Sequence, residues 1–252
     1  MFDIRQRARR RGAEARREAG LNLLVPVDIW KVLRASEISI LKKPLKSNIS
    51  GMFLKKGFVK LVLINTSRTV GHQNFTGCHE YFHLLYDQDD KKICRAGEFD
   101  SNDSNEREAD YFAAYFLAPD EALEFQVERR LKGKRRALNI ADAIALEQMF
   151  GMSHQAMLIR LKEAGYIHAE EEEHMRSRVL IQALQLGYSP ELYLPSNENA
   201  IISNYAEKAK EALDKGLISQ GRYEELLLEA GLEELVFGLT EREEERDETI
   251  PL

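Results

Sequence analysis

The sequence has few cysteines, no long apolar run and no secretion signal. No apolar stretch approaches the roughly 20 residues that a membrane-spanning helix needs, and no apolar segment follows the arginine-rich N-terminus. We therefore expect no membrane partner. The only cysteines, Cys78 and Cys94, cannot form a disulfide framework. Their scarcity predicts a protein of the reducing cytoplasm.

The chain also lacks internal repeats, a glycine-rich phosphate loop and a large excess of positive charge. Its net charge of −6 argues against a surface made for general nucleic-acid binding. The 252 residues, of which 44% are hydrophobic, are enough for a real core in one large domain or two to three small ones.

The pattern His-Glu-x-x-His occurs at His79, Glu80 and His83, inside an apolar run of helical period. Residues four apart lie one above the other on a helix, so both histidines can give a nitrogen to one metal ion. Glu80 lies about 100° round the helix from His79. Its carboxylate would therefore miss the metal and act as general base on a water beside it. The pattern is typical of zinc hydrolases, and we predict that this helix begins near Asn74.

A second carboxylate motif supplies the third donor that a catalytic zinc site needs. Glu106 and Asp110 are one helical turn apart. If Glu106 binds the metal, Asp110 can accept the other ring N–H of a ligating histidine. Small residues at 109 and 113 on the same face would let the two helices approach closely. Glu108 is the alternative ligand, but helix geometry turns it toward other side chains and favours Glu106.

The segments around these motifs predict a small sheet among helices. Residues 1–20 read as a polar, arginine-rich helix that could touch nucleic acid. We favour a solvated helix that packs through Phe2, Ile4, Ala8 and Ala15. Strands are predicted at 37–40, 51–56 and 58–65, with the last two forming a hairpin. We interpret 87–105 as a polar loop.

Beyond Pro119 the pattern is helical. A basic cluster at 129–136 precedes two amphipathic helices within 140–165. Gly151 separates the two helices, and Ser153 is the predicted N-cap of the second. This arrangement is typical of a helix-turn-helix, with His154 predicted on the surface. The remaining predictions are helices at 176–186, 200–215 and 220–239 and a disordered acidic end at 241–252.

Together these elements predict an α+β fold that is mainly α. We predict a metal-binding domain at 1–120, a helix-turn-helix-like helical region at 121–168 and a C-terminal helical region with an acidic tail at 169–252.

The order of elements and motifs resembles the ImmA/IrrE family of metallopeptidases. The similarity rests on the His-Glu-x-x-His helix, on Glu-x-Glu-Ala-x-x-Phe-Ala from Glu106, and on a Leu-x-Pro stop at Pro119. Similar stretches at 26–29, 49–51, 150–153 and 216–219 extend it over most of 23–228. The sequence departs from the family pattern at Gly77-Cys78 and Tyr81-Phe82, which affects packing rather than ligands.

The resemblance implies a minimal zincin-like metallopeptidase domain and a zinc-dependent endopeptidase. It implies that His79, His83 and Glu106 bind Zn²⁺ and that Glu80 is the catalytic glutamate. Known substrates of the family are helix-turn-helix repressors, whose cleavage in a stress response or in mobile-element control relieves repression.

The competing hypothesis is a DNA-binding transcriptional regulator whose metal site is structural or vestigial. It rests on the helices at 140–165 and the basic cluster at 129–136. A helix-turn-helix in this setting can equally be a packing module or a docking site for the repressor, and we favour those interpretations over DNA binding.

Overall fold

The computed structural model describes residues 3–88, 91–95, 103–134 and 136–237. Contacts divide the chain into two compact units, Met1–Ile202 and Ser203–Leu252. The first unit holds a small mixed sheet and most of the helices, and the predicted region 121–168 lies within it. The described part of the second unit is helical. The α+β, mainly α prediction is confirmed.

The sheet has five strands in the order β4-β2-β3-β1-β5. The strands are β1 (Ser39–Lys43), β2 (Ile49–Lys56), β3 (Val59–Asn65), β4 (Lys91–Arg95) and β5 (Ala200–Ile202). The predicted hairpin is confirmed, because β2 and β3 pair antiparallel on either side of Gly57, whose φ is +57°. Strand β1 pairs parallel with β3.

Strands β4 and β5 were not predicted from the sequence, so the structure corrects the prediction at both segments. Strand β4 lies in the segment interpreted as a loop and pairs with β2. Its sequence is short and carries three basic residues, a composition found on sheet edges and weak as a strand signal. Strand β5 lies where a helix was predicted to begin and pairs with β1. The Thr66 hydroxyl donates to the Glu198 carbonyl oxygen at 2.7 Å and helps to bring the segment before β5 to the sheet.

The helices surround this sheet and extend beyond it. The first unit contains α1 (Ile4–Glu18), α2 (Ile29–Ala35), α3 (Val70–Tyr86), α4 (Ser104–Leu117), α5 (Asp120–Leu131), α6 (Ile140–Phe150), α7 (His154–Glu163), α8 (Ala169–Met175), α9 (Val179–Gln185) and a 3₁₀ turn (Glu191–Tyr193). The second unit contains α10 (Tyr205–Asp214), α11 (Gln220–Glu229) and α12 (Glu233–Phe237). Every helix among the described residues is too short or too polar to cross a bilayer. The acidic end predicted at 241–252 lies outside those residues.

Helix α3 begins before Asn74, so the predicted start was wrong. Thr69 is the N-cap, and its hydroxyl accepts a hydrogen bond from the His72 backbone N–H. The Asn74 amide lies inside the helix and donates to the Gly151 carbonyl oxygen at 2.9 Å. The cap-forming residue type at 74 therefore serves a contact between helices rather than a helix start.

Helix α1 has the predicted solvated face, since Arg5, Arg9, Arg10 and Arg17 are exposed, but Arg16 departs from it. The Arg16 side chain is buried and donates to the carbonyl oxygens of Phe116, at the end of α4, and Asn22. Ala8 and Ala15 are fully buried on the face toward the core. Hydrogen bonds from the Arg16 guanidinium to backbone carbonyl oxygens thus hold this charged helix against the rest of the unit.

Helices α6 and α7 form the predicted pair. Gly151 ends α6 with a φ of +64°, and the Ser153 hydroxyl caps α7. The prediction of an exposed His154 was wrong, because its side chain is only 10% exposed. Its Nδ1 lies 2.8 Å from Glu147 Oε2 and its Nε2 lies 2.8 Å from the Met175 carbonyl oxygen.

Candidate metal centre

Helices α3 and α4 bring three potential metal donors to one point. His79 Nε2 and His83 Nε2 are 3.0 Å apart. The Glu106 carboxylate lies 3.2 Å from His79 Nε2 through Oε2 and 3.4 Å from His83 Nε2 through Oε1. Ala109 and Ala113, both fully buried, keep α4 close to α3. Among the described residues, this is the one group of three His, Cys, Asp or Glu side chains placed to share an ion.

A carboxylate lies behind each histidine. Asp110 Oδ1 is 2.9 Å from His79 Nδ1, as the one-turn spacing from Glu106 predicts. Asp87 Oδ2 is 2.7 Å from His83 Nδ1. The Asn105 amide donates to the other Asp87 oxygen at 2.7 Å, which fixes that carboxylate against the start of α4.

Asp87 is the site residue that the sequence reasoning missed. It caps the C-terminal end of α3 and lies one turn beyond His83, on the same side of the helix. A carboxylate four residues after the second histidine was the available signal. The sequence pattern places it in the polar loop, because the apolar helical period ends just before it.

These partners fix the chemical form of the two imidazoles. Each Nδ1–H donates to a carboxylate, so each Nε2 presents its lone pair to the common point. Burial lowers the pKa of His83, against the opposing effect of Asp87. The neutral imidazole is the form that binds a metal ion.

The three donors suit zinc in type and spacing. A His₂Glu set with an open fourth position is a known catalytic zinc site. Bonds of about 2.0–2.1 Å at tetrahedral angles separate neighbouring ligand atoms by about 3.3–3.4 Å. The donor separations of 3.0, 3.2 and 3.4 Å are close to that edge length.

Glu80 lies beside the cluster, between α3 and strand β2, with no exposed surface. A Cβ atom added to Gly51 would lie 2.7 Å from Glu80 Oε1 and 2.5 Å from the Thr76 methyl carbon. Only glycine at position 51 therefore lets β2 pass this close to the glutamate. The sheet holds Glu80 in place next to the two histidines.

Glu108, the alternative ligand, faces helix α1 instead of the histidines. It is buried, and its two oxygens accept from Arg7 Nε and Arg11 Nη1, each at 2.7 Å. Two guanidinium groups offset the cost of burying this carboxylate. Glu108 therefore ties α4 to the arginine-rich helix α1.

A second polar pair lies along the same side of α3. His72 is two turns before His79, and its Nε2 lies 2.9 Å from the Ser50 hydroxyl oxygen on β2. Burial lowers the pKa of His72 to about 4, so this ring is neutral at physiological pH. The pair adds an uncharged imidazole to the strand side of the helix.

The family comparison matches the part of the chain that builds this cluster. The model described as the IrrE N-terminal-like domain, Peptidase M78, matches residues 34–179, more than half of the chain. The matched region begins before β1 and includes β2, α3 and α4. No curated protein matches the chain.

Proposed function

Because the chain belongs to the M78 peptidase family, which is a family of metallopeptidases, we propose that it is a zinc-dependent endopeptidase acting on a protein substrate. In this proposal His79, His83 and Glu106 are the metal ligands and Glu80 is the general base. The observation that carries it is the convergence of the two Nε2 atoms and the Glu106 carboxylate.

The catalytic work of the chain follows from the placement of its own groups. A zinc ion held by the three donors would lower the pKa of a water molecule and polarise the scissile carbonyl group. Glu80 takes a proton from the attacking water and gives it to the departing amide nitrogen. Asp87 and Asp110 keep the imidazoles in the ligating tautomer throughout the reaction. The buried setting of Glu80 strengthens each of these electrostatic interactions.

We propose a helix-turn-helix repressor as the substrate, cleaved in the cytoplasm to relieve repression. This step rests on the resemblance to the ImmA/IrrE peptidases. Cys78, a buried free thiol, is consistent with a reducing compartment.

Co-expression of the full chain with a helix-turn-helix repressor tests this function. We expect mass spectrometry to show two repressor fragments with the wild type and intact repressor with Glu80→Gln, which should retain its metal. Cleavage by Glu80→Gln at the wild-type rate would remove Glu80 as the base. An intact repressor in the presence of the metal-loaded wild type would exclude that substrate.

The contacts of the helical region support packing rather than DNA binding. In the basic cluster, Arg130 Nε and Arg136 Nη2 donate to Asp142 at 3.1 and 3.0 Å. In α7, the helix that would enter the DNA groove, Arg160 is buried and bound to the Ala118 carbonyl oxygen. Salt-dependent binding to duplex DNA that is lost on reversing Lys132 and Lys134 would instead favour the regulator hypothesis.

A further inference from the structure

A cavity of about 180 Å³ opens beside the metal centre. Its walls come from three helices, because Phe75 belongs to α3, Tyr111 and Ala114 belong to α4, and Ala156 and Ile159 belong to α7. Arg107, Asp110 and Glu163 complete the lining. The helix-turn-helix-like region therefore supplies one wall of a space next to the candidate active site.

The cavity meets the metal centre at Asp110. Asp110 lines it and also binds His79 Nδ1 at 2.9 Å. Phe75 lies one helical turn before His79 on the same side of α3. The cavity therefore adjoins the helix turn that carries His79 and the carboxylate that orients its ring.

The size of the cavity suits a single side chain. Pockets for drug-sized ligands measure roughly 300–1,000 Å³, which is well above the 180 Å³ found here. Two of the wall positions are alanines, Ala114 and Ala156. Larger residues at either position would fill the space.

The chemistry of the lining suits an apolar group. Phe75, Ala114, Ala156 and Ile159 present only hydrocarbon. The charged Glu163 is already paired with Arg5, at 3.4 Å, so it offers little to a substrate cation. Arg5 also lies over the Tyr111 ring, 5.1 Å from its centroid.

We propose that this cavity is a specificity pocket for an apolar substrate side chain of leucine, methionine or phenylalanine size next to the scissile bond, with Ala156 and Ile159 of α7 as specificity-determining residues. The inference rests on the proposed peptidase function. It gives the helix-turn-helix-like region a role in substrate selection.

Cleavage profiling of a peptide library by the full-length, zinc-loaded chain is the first test. We expect one position flanking the cut to favour leucine over alanine by about tenfold or more, since a single methylene in an apolar pocket is worth about 10- to 200-fold. Ala156→Leu should remove this preference at that position. Ile159→Ala should shift it toward phenylalanine.

Matched controls separate pocket effects from general damage. Ala164→Leu changes an exposed residue at the end of α7, and Ile181→Ala changes an exposed residue of α9. Both should keep the wild-type profile. An unchanged profile in both Ala156→Leu and Ile159→Ala, with cleavage retained, would overturn the proposal.

A binding measurement decides the matter independently of cleavage. Full-length protein labelled at isoleucine methyl groups is titrated with N-acetyl-leucine amide and N-acetyl-glycine amide. We expect the Ile159 methyl signal to shift with the leucine compound only and to stop responding in Ala156→Leu. No response to the leucine compound would overturn the pocket, whereas a response in a chain that cleaves no peptide would overturn only the peptidase function.

Discussion

His83 Nδ1 lies 2.7 Å from Asp87 Oδ2, one helical turn further along α3. The same carboxylate accepts from Asn105 at the start of α4. Asp87 therefore links the orientation of one proposed ligand to the helix that carries another, Glu106.

Replacing Asp87 should weaken metal binding without removing a ligand. We expect Asp87→Ala to lower zinc affinity about 10- to 100-fold, the usual effect of losing the partner of a ligating histidine. Competition with a chromophoric chelator measures this affinity. Asp214→Ala is the matched control, since that carboxylate is exposed and pairs with the exposed Lys210. Equal affinities in the two variants would contradict the assignment.

Replacing each of the three carboxylates of α4 by alanine should affect zinc binding and stability differently. We expect Glu106→Ala to lose stoichiometric zinc on dialysis and Asp110→Ala to bind zinc about 10- to 100-fold more weakly. Glu108→Ala should retain zinc but lose about 1–3 kcal/mol of stability, because it leaves Arg7 and Arg11 without their carboxylate. Metal analysis and thermal unfolding of the purified variants measure both effects. Zinc lost from Glu108→Ala but kept by Glu106→Ala would reverse the ligand assignment.

A methyl group at position 51 should displace the Glu80 side chain and leave zinc binding unchanged. The added Cβ of Gly51→Ala would meet the Glu80 carboxylate and the Thr76 methyl group at under 3.0 Å. We expect a loss of peptidase activity of about 100-fold, since small displacements of catalytic groups are costly, with zinc content unchanged. Gly221→Ala is the control, because nothing lies within 4 Å of the added atom. Activity of Gly51→Ala at the wild-type level would show that β2 does not fix Glu80.

The His154–Glu147 pair should make stability depend on pH. Burial disfavours the charged ring, but the hydrogen bond that His154 donates to the Glu147 carboxylate, together with the charge of that carboxylate, outweighs burial and raises the pKa of His154. A raised pKa means that the protonated ring stabilises the folded state below the unfolded value of about 6.5 and that this contribution is lost as pH rises through the folded value.

His154→Gln should therefore destabilise the protein more at pH 5.5 than at pH 8.5. Thermal unfolding of wild type and variant across this range measures the difference. His174→Gln, a histidine replacement at an exposed position, is the matched control. A destabilisation by His154→Gln that is independent of pH would rule out a protonated ring in the folded protein.

Several elements could be predicted because their signals are local. The hairpin around Gly57 follows from β-forming residues and one glycine with positive φ. The α6–α7 break follows from Gly151 and the Ser153 cap. The spacing of His79 and His83 required only the helical period.

Other features depended on contacts distant in sequence. Strand β5 exists because the chain after the 3₁₀ turn pairs with β1, more than 150 residues earlier. The buried state of Arg16 required acceptors on α4 and on the loop after α1. Neither position carries a local pattern that indicates its partner.

The sequence by itself determined the facing histidines, the glutamate beside them and the one-turn pair Glu106 and Asp110, because helix geometry relates these residues over short distances. Only the tertiary structure decided that Glu106 faces the histidines while Glu108 faces Arg7 and Arg11. The rotation of α4 about its axis depends on packing against α1 and α3 together, and packing between helices cannot be read from the period of one of them.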